Sequence, residues 1–411
     1  MSGKATVKTN DKPFVVTPPR TADEARVLEH LVLAGWGKDF RTAPVSAREA
    51  AADVLERWVR LGLPFSKLPG GSRGFDPAEV LNFGKSAGLA GKDDFWATRY
   101  TATGRNLIRE FAARPRDLEP RGFQVRLERE FGLGHLQPGT RARLRLPFPA
   151  DVPTLRDLRV GLLPPETRTQ PGYAETFATV PEHRSVVLEA AYEFVAHPTV
   201  DAVTELAINE REAYLQQTGR SRVSALAAEL AANLQAPLNV LRAFWNFFFE
   251  RMVLGVLHGE DTLDDVLDLE LFDCRLGSAL LVALCRARGI PARTCSGFTL
   301  YSIPFYHYWV EAWIEGRGWF PVDLTCWDLS LRGADEEWRE YFFGALDYRM
   351  TVEVLPGTFT GFPSLSFPHE WYALARPLEN GAAIGIYASQ TGKLVYEDRV
   401  LVKVNAGPLF P

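Results

Sequence analysis

Of the four cysteines in this chain, Cys274 has the most reactive setting. The segment LFDCRLGSALLVALCRARGIPAR, residues 271–293, runs from that thiol into an apolar helical pattern and ends it at Gly289-Ile290-Pro291. Gly289 sits where a left-handed cap belongs and Pro291 forbids continuation, so the pattern predicts a helix over about 274–288. Leu280, Leu281, Leu284 and Cys285 then form one apolar stripe. A cysteine at the leading end meets unpaired backbone N–H groups and the positive end of the helix dipole, both of which favour a thiolate. The chemistry that fits is attack by sulfur on a carbonyl. Cys285 lies roughly 16 Å further along the axis and reads as a core thiol. Cys295 and Cys326 begin no helix and are read the same way.

A sulfur nucleophile needs a base, and the base needs a group to orient it. YHYWVEAWIEGRGWFPVDLT, residues 306–325, reads as a β-hairpin turning at EGRG. With Trp313 opposite Trp319, His307, Trp309, Glu311 and Trp313 share a face with Trp319, Pro321, Asp323 and Thr325. Val310, Ala312, Ile314, Phe320, Val322 and Leu324 fill the other. A slip of one residue would mix the polar and aliphatic sets, so the pattern fixes the register. In it Asp323 is the diagonal neighbour of His307, about 7–8 Å away at the backbone and within side-chain reach. An imidazole–carboxylate pair walled by tryptophans is the expected result. Glu311 shares that face and reads as a supporting residue. Trp245, Tyr308 and Trp309 are candidates for lining the pocket or holding an oxyanion, alongside the backbone N–H of Cys274.

The elements that must position these groups follow from the rest of the chain. Residues 1–20 read as a tail. Residues 21–118 read as a helical N-terminal region, with capping boxes at Thr21/Glu24 and Ser46/Glu49 and a loop PGGSRGFDP. Period-two alternation in FQVRLERE and RARLRLPFP, followed by SVVLEAAYEFV, predicts a β-rich, sandwich-like layer over 119–200. Helical pattern returns in SRVSALAAELAANL and PLNVLRAFWNFFFERMVLGVL, where Phe244, Trp245, Phe247, Phe248 and Phe249 read as core. Residues 201–345 are expected to form the catalytic core, and 346–411 a C-terminal β extension packed on it, with a hairpin at Thr391-Gly392. The fold class is α+β.

Composition narrows the function. A net charge of −5 without a basic stripe argues against nucleic acid as a partner. No apolar run approaches the roughly 18 residues of a membrane helix, and the polar, proline-rich opening shows no secretion leader, so a cytoplasmic protein is expected. The cysteines form no C-x-x-C pair and suit neither a disulfide framework nor zinc. EDTLDD at 260–265 lacks the glycine and terminal glutamate of a calcium loop and reads as a solvated helix start. No metal or organic cofactor is implied.

DCRLGSALLVALCRARGIPAR, HYWVEAWIEGRGWFPVD and the spacing between them resemble the transglutaminase-like cysteine enzyme superfamily, over about residues 240–345. In that family a cysteine stands fifteen residues ahead of the glycine of Gly-Ile-Pro-Ala-Arg, followed by His-x-Trp-x-Glu and an Asp after a Gly-Trp strand. The resemblance implies a papain/transglutaminase-like core, a nucleophile helix packed on an antiparallel sheet, with nucleophile, base and orienter at Cys274, His307 and Asp323. It implies acyl transfer through a thioester on a peptide or small amide or ester, with water or an amine as acceptor. Protein crosslinking is one alternative and a catalytically silent scaffold or binding protein another. The sequence departs from the pattern at Phe272, where many relatives have Gly, at Tyr308, which is usually small, and at Gly277-Ser278, which replaces an aromatic-small pair.

Overall fold

The computed structural model describes residues 22–25, 28, 45–75, 80, 83, 117–134, 136–170, 172–200, 205–216, 221–254, 262–301, 306–324, 336–346, 348–355, 371–377, 384–390 and 394–405. Thr325, Cys326 and the tail 1–20 lie outside them. Most of the N-terminal region, Thr21 of the first expected capping box included, lies outside the described residues as well. Helix α1 (Val45–Arg60), which begins one residue ahead of the Ser46 expected to cap it, accompanies a small sheet of β1 (Ala22–Asp23), β2 (Ser66–Lys67) and β3 (Arg73–Phe75) in the order β1-β3-β2. Of the stretch expected as a loop, 69–77, residues 69–72 form the bend between β2 and β3 and 73–75 are β3 itself, with Asp76 and Pro77 outside the described residues. Strands of two and three residues are too short to show a period of two. Arg73 ties the pieces together through Glu24 at 2.9 Å and Glu56 at 2.7 Å.

The β-rich layer holds β4 (Arg121–Gly132), β5 (Arg141–Pro147), β6 (Leu155–Leu162), β7 (Arg168–Gln170), β8 (Tyr173–Thr179) and β9 (Ser185–Ala196). Alternation along β4 buries Phe123, Val125, Leu127 and Phe131. RARLR, in β5, alternates exposed and buried as expected of a solvated strand face.

The region after the β-rich layer opens with α2 (Ile208–Leu215), α3 (Ser221–Leu230) and α4 (Pro237–Arg251), followed by β10 (Val253–Leu254), α5 (Leu263–Leu269), β11 (Leu271–Phe272) and α6 (Cys274–Ala287). α5 starts at Thr262, which forms a capping box with Asp265, so EDTLDD contains a helix start. α6 ends as predicted, with Gly289 left-handed at φ 72°. Only one buried stripe was expected of α6, yet every residue from Arg275 to Arg286 is buried. This is an internal helix.

β12 (Ala292–Thr299), β13 (Tyr306–Ile314), β14 (Gly318–Val322) and β15 (Arg349–Leu355) form an antiparallel sheet in the order β14-β13-β12-β15, with α7 (Glu336–Tyr341) between β14 and β15 in the chain. Trp313 lies opposite Trp319 and Val310 opposite Val322, the register the hairpin pattern requires. Val310, Ala312, Ile314, Phe320, Val322 and Leu324 pack in one core with Leu276, Leu280, Leu281 and Leu284 of α6. Further along the same sheet, Phe298, Tyr306, Tyr308, Met350 and Val352 pack instead with Phe123, Val125 and Leu127 of the β-rich layer. Cys274 lies against that second cluster, so the leading end of α6 sits where helix and sandwich meet over β13.

The C-terminal extension differs from expectation. β15 joins the core sheet, but β16 (Trp371–Pro377), β17 (Ile384–Gln390) and β18 (Leu394–Asn405) join the β-rich layer, giving a sheet ordered β16-β17-β18-β4-β9-β6 against β5-β8-β7. β18 pairs along β4 from Val395–Gly132 to Asn405–Gly122, and Gln390 opposes Leu394 across the expected hairpin. Long uninterrupted pairing to a central strand accounts for this placement.

One buried ion pair braces the core sheet. Arg293, of Gly-Ile-Pro-Ala-Arg, stands opposite Glu311 in the register and donates from Nε to its carboxylate at 2.7 Å, with its guanidinium 4.0 Å from the Trp319 ring centroid. Removing one partner of such a pair strands a buried charge. Glu311→Ala should cost about 3–5 kcal/mol in urea unfolding, while the double replacement Arg293→Met/Glu311→Leu should recover most of it. Equal losses in the single and double variants would show that the brace contributes nothing specific.

Candidate active site

Asp273, ahead of α6, takes extended backbone and its Oδ1 accepts the N–H of Leu276 at 2.6 Å, capping the helix and placing Cys274 as its first residue. The Asp-Cys order carried that signal in the sequence. Cys274 is half-buried, and the backbone N–H of Tyr308 lies near enough to its sulfur to favour the thiolate. That N–H belongs to the peptide joining His307 to Tyr308, so the thiol lies within one peptide unit of His307. The His307 ring is held by Asp323, with 2.9 Å from Nε2 to Oδ1. The other carboxylate oxygen, Oδ2, accepts from Nη2 of Arg349 at 2.6 Å, and Arg349 Nη1 donates to the Tyr301 hydroxyl at 2.6 Å. His307, Asp323 and Arg349 are all buried.

Burial alone would raise the Asp323 pKa, but electrostatic attraction to His307 and Arg349 and the hydrogen bonds from both outweigh it and hold the carboxyl well below the usual carboxylate range. An ionised carboxylate only accepts, so His307 Nε2 carries the proton in this hydrogen bond. A carboxyl held low stabilises the fold above its unfolded pKa of about 3.9 and loses that contribution as the pH falls further.

The thiol departs from the sequence reading. Burial, reinforced by the nearby Asp273 carboxylate, pushes Cys274 up to about 12, against the Tyr308 N–H and Arg275, which favour the thiolate. The helix start does not by itself make a resting thiolate, because the cap that orders it brings a negative charge beside the sulfur. Cys274 is a neutral thiol near pH 7.

The remaining candidates occupy two places. Trp309 is buried near His307, the rings 6.4 Å apart between centroids and 26° from parallel, and packs with Cys295 and Leu346. Tyr308 offers its backbone to the thiol while its ring packs edge-on to Tyr306 at 5.5 Å. Trp245 lies in the aromatic core expected of its helix, 4.9 Å from Phe249 and 5.6 Å from Phe343 between ring centroids. No described contact joins Trp245 to Cys274. Arg349 and Tyr301 were not found from the sequence, because no motif surrounds either.

Two of the departures from the family pattern meet in space. A Cβ at Gly277 would lie 2.5 Å from Cδ2 of Phe272 and 3.2 Å from Cδ1 of Leu324. The Phe272 ring thus fills the space beside position 277 and holds it to glycine. A third glycine feature lies across from the base. Gly297 opposes His307 on β12 and meets β15 at a register shift, where its Cβ would lie 2.0 Å from the Met350 carbonyl oxygen. That close approach brings the start of β15, with Arg349, behind the hairpin.

Residues 224–324 match the family described as the transglutaminase-like superfamily. That segment is a transglutaminase-like core. A curated relative, the protein-glutamine gamma-glutamyltransferase of Pseudomonas aeruginosa, is 27% identical over 172 residues, 38% of this chain and 26% of the relative. The chain thus spans about a quarter of that protein. Among solved structures, a candidate cysteine protease from Cytophaga hutchinsonii aligns at TM-score 0.44 and 13% identity over 71% of this chain and 93% of that one. The periplasmic domain of TgpA from Pseudomonas aeruginosa aligns at 0.34 and 19% over 55% and 94%. Among the described residues, no helix is long and apolar enough to cross a membrane.

The contact of Phe272 with position 277 is testable. Gly277→Ala should destabilise the transglutaminase-like core by about 1–3 kcal/mol. The same change in a Phe272→Leu background should cost measurably less, and additive losses in a double-mutant cycle by urea unfolding would exclude the contact.

Proposed function

We propose that the chain is a cysteine acyltransferase or hydrolase that works through a thioester on Cys274, with His307 as base and Asp323 as its orienter. The observation that carries this reading is the meeting of the Cys274 sulfur with the His307–Tyr308 peptide while the His307 ring is bound to Asp323 at 2.9 Å. His307 Nδ1 takes the proton of the neutral thiol as sulfur bonds to the substrate carbonyl carbon. The carbonyl π electrons move to oxygen, where the backbone N–H of Cys274 donates, and Tyr308 and Trp309 line the site. Collapse breaks the bond to the leaving nitrogen or oxygen, which receives the proton from Nδ1. Water or an amine then gives its proton to Nδ1, attacks the thioester and releases Cys274 as a thiol.

The substrate class is a peptide or small amide or ester. An amine acceptor, and with it protein crosslinking, has support from the curated relative, which is a protein-glutamine gamma-glutamyltransferase. The silent-scaffold reading is disfavoured by a buried His–Asp–Arg array, since well-packed apolar residues of similar volume are often as stable or more so.

With amide and ester substrates, intact mass should show an acyl adduct on Cys274, lost in Cys274→Ala, and an added amine should divert the acyl group from water if transfer is the activity. Asp323→Asn, which removes the acceptor that fixes the tautomer, should lower the acylation rate by about 10³–10⁴. Independently of substrate, iodoacetamide labelling of Cys274 at pH 7 should fall at least about tenfold in His307→Gln, because a thiol this basic needs a neighbouring base to react. Labelling unchanged by that substitution would favour the scaffold.

A further inference from the structure

The inference rests on the reading of His307 as the base and concerns what tunes it. Arg349 opens β15, belongs to none of the motifs, and is buried with one terminal nitrogen on Asp323 and the other on Tyr301. Its guanidinium carbon lies 5.1 Å from the Tyr301 ring centroid and 5.9 Å from those of Trp309 and Phe342, so aromatic rings as well as hydrogen bonds hold it. We propose that Arg349 is a positioning residue that sets the basicity of His307, by claiming one oxygen of Asp323 and offsetting that carboxylate's charge at the imidazole.

The argument is electrostatic. A buried carboxylate facing only an imidazole stabilises the imidazolium, which has no lone pair with which to accept a proton. A guanidinium, charged at every working pH, on the second oxygen leaves the Asp323–Arg349 unit close to neutral overall while the hydrogen bond to Nε2 remains. The ring keeps its tautomer. A base able to take up a proton is what a thiol held in its protonated form requires.

The other ionisable groups around the hairpin do not replace Arg349. Asp273, Cys274 and Arg275 stand at the start of α6, with Arg275 3.8 Å from Asp273. On the sheet, Glu353 of β15 accepts from Ser296 at 3.0 Å and Tyr306 at 3.2 Å, Glu311 is taken by Arg293, and Tyr308 and Cys295 flank the site from β13 and β12. Of these, only Asp323 and, through it, Arg349 are joined to the ring by described hydrogen bonds.

The test is the pH titration of the histidine Cε1–H signals of the full chain by NMR; there are seven histidines, and His307 is assigned by its loss in His307→Gln. In folded Arg349→Met the His307 midpoint should move up by at least about half a pH unit, and Arg349→Lys should hold it within about 0.2 units of the parent. Arg349→Gln keeps a donor for Oδ2 without the charge, should shift the midpoint as Met does, and carries the test if Met fails to fold. A midpoint that stays or moves down in a folded neutral variant overturns the proposal, because a purely structural arginine would alter stability and leave the titration alone. This readout is separate from the base assignment: if His307→Gln leaves Cys274 labelling unchanged while the midpoint still moves in Arg349→Met, the base reading fails and the charge coupling stands.

Discussion

A single buried carboxylate organises the site. Asp323 lies at the end of β14 with one oxygen on His307 and the other on Arg349, and neither partner can leave without stranding a charge away from water. The hairpin register, the close approach of β12 to β15 at Gly297 and the ring cage around Arg349 are all conditions for that three-way contact. Once Asp323 is ionised and doubly bound, the tautomer of His307 follows, and with it which nitrogen can act as base.

The site therefore differs in its resting state from one built on a preformed thiolate. The capping carboxylate of Asp273 orders the first turn of α6 and also opposes a negative sulfur next to it. Burial is the main reason the thiol pKa is high, and the residue that orders the helix start adds to it. In the proposed reaction proton removal falls to the His307 imidazole at the moment of attack, on a scaffold whose core helix is buried from Arg275 to Arg286.

Much of the core was legible because its signals are local. The helix from Cys274 to a stop at Gly289-Ile290-Pro291 needs only neighbouring residues, and the His307–Asp323 diagonal follows from alternation across a short turn that tolerates one register. Arg349 was not legible because it reaches Asp323 from a strand with no motif, 26 residues further along the chain. The pairing of β18 with β4 was missed for the same reason at larger scale. Alternation marks a strand but does not name its neighbour. The β2–β3 hairpin fell below the length at which a period is visible, and the thiol's pKa depends on enclosure, which no linear pattern reports.

The β4–β18 pairing also bears on how the molecule comes into being. The nucleophile helix, the base and Arg349 all lie in the chain between two strands that must end up side by side. During synthesis β4 leaves the ribosome long before its neighbour, and that edge stays open until Leu394–Asn405 has been made. Since the β4 layer also packs on the sheet beside Cys274, the surroundings of that thiol are complete only once the last strand has been made.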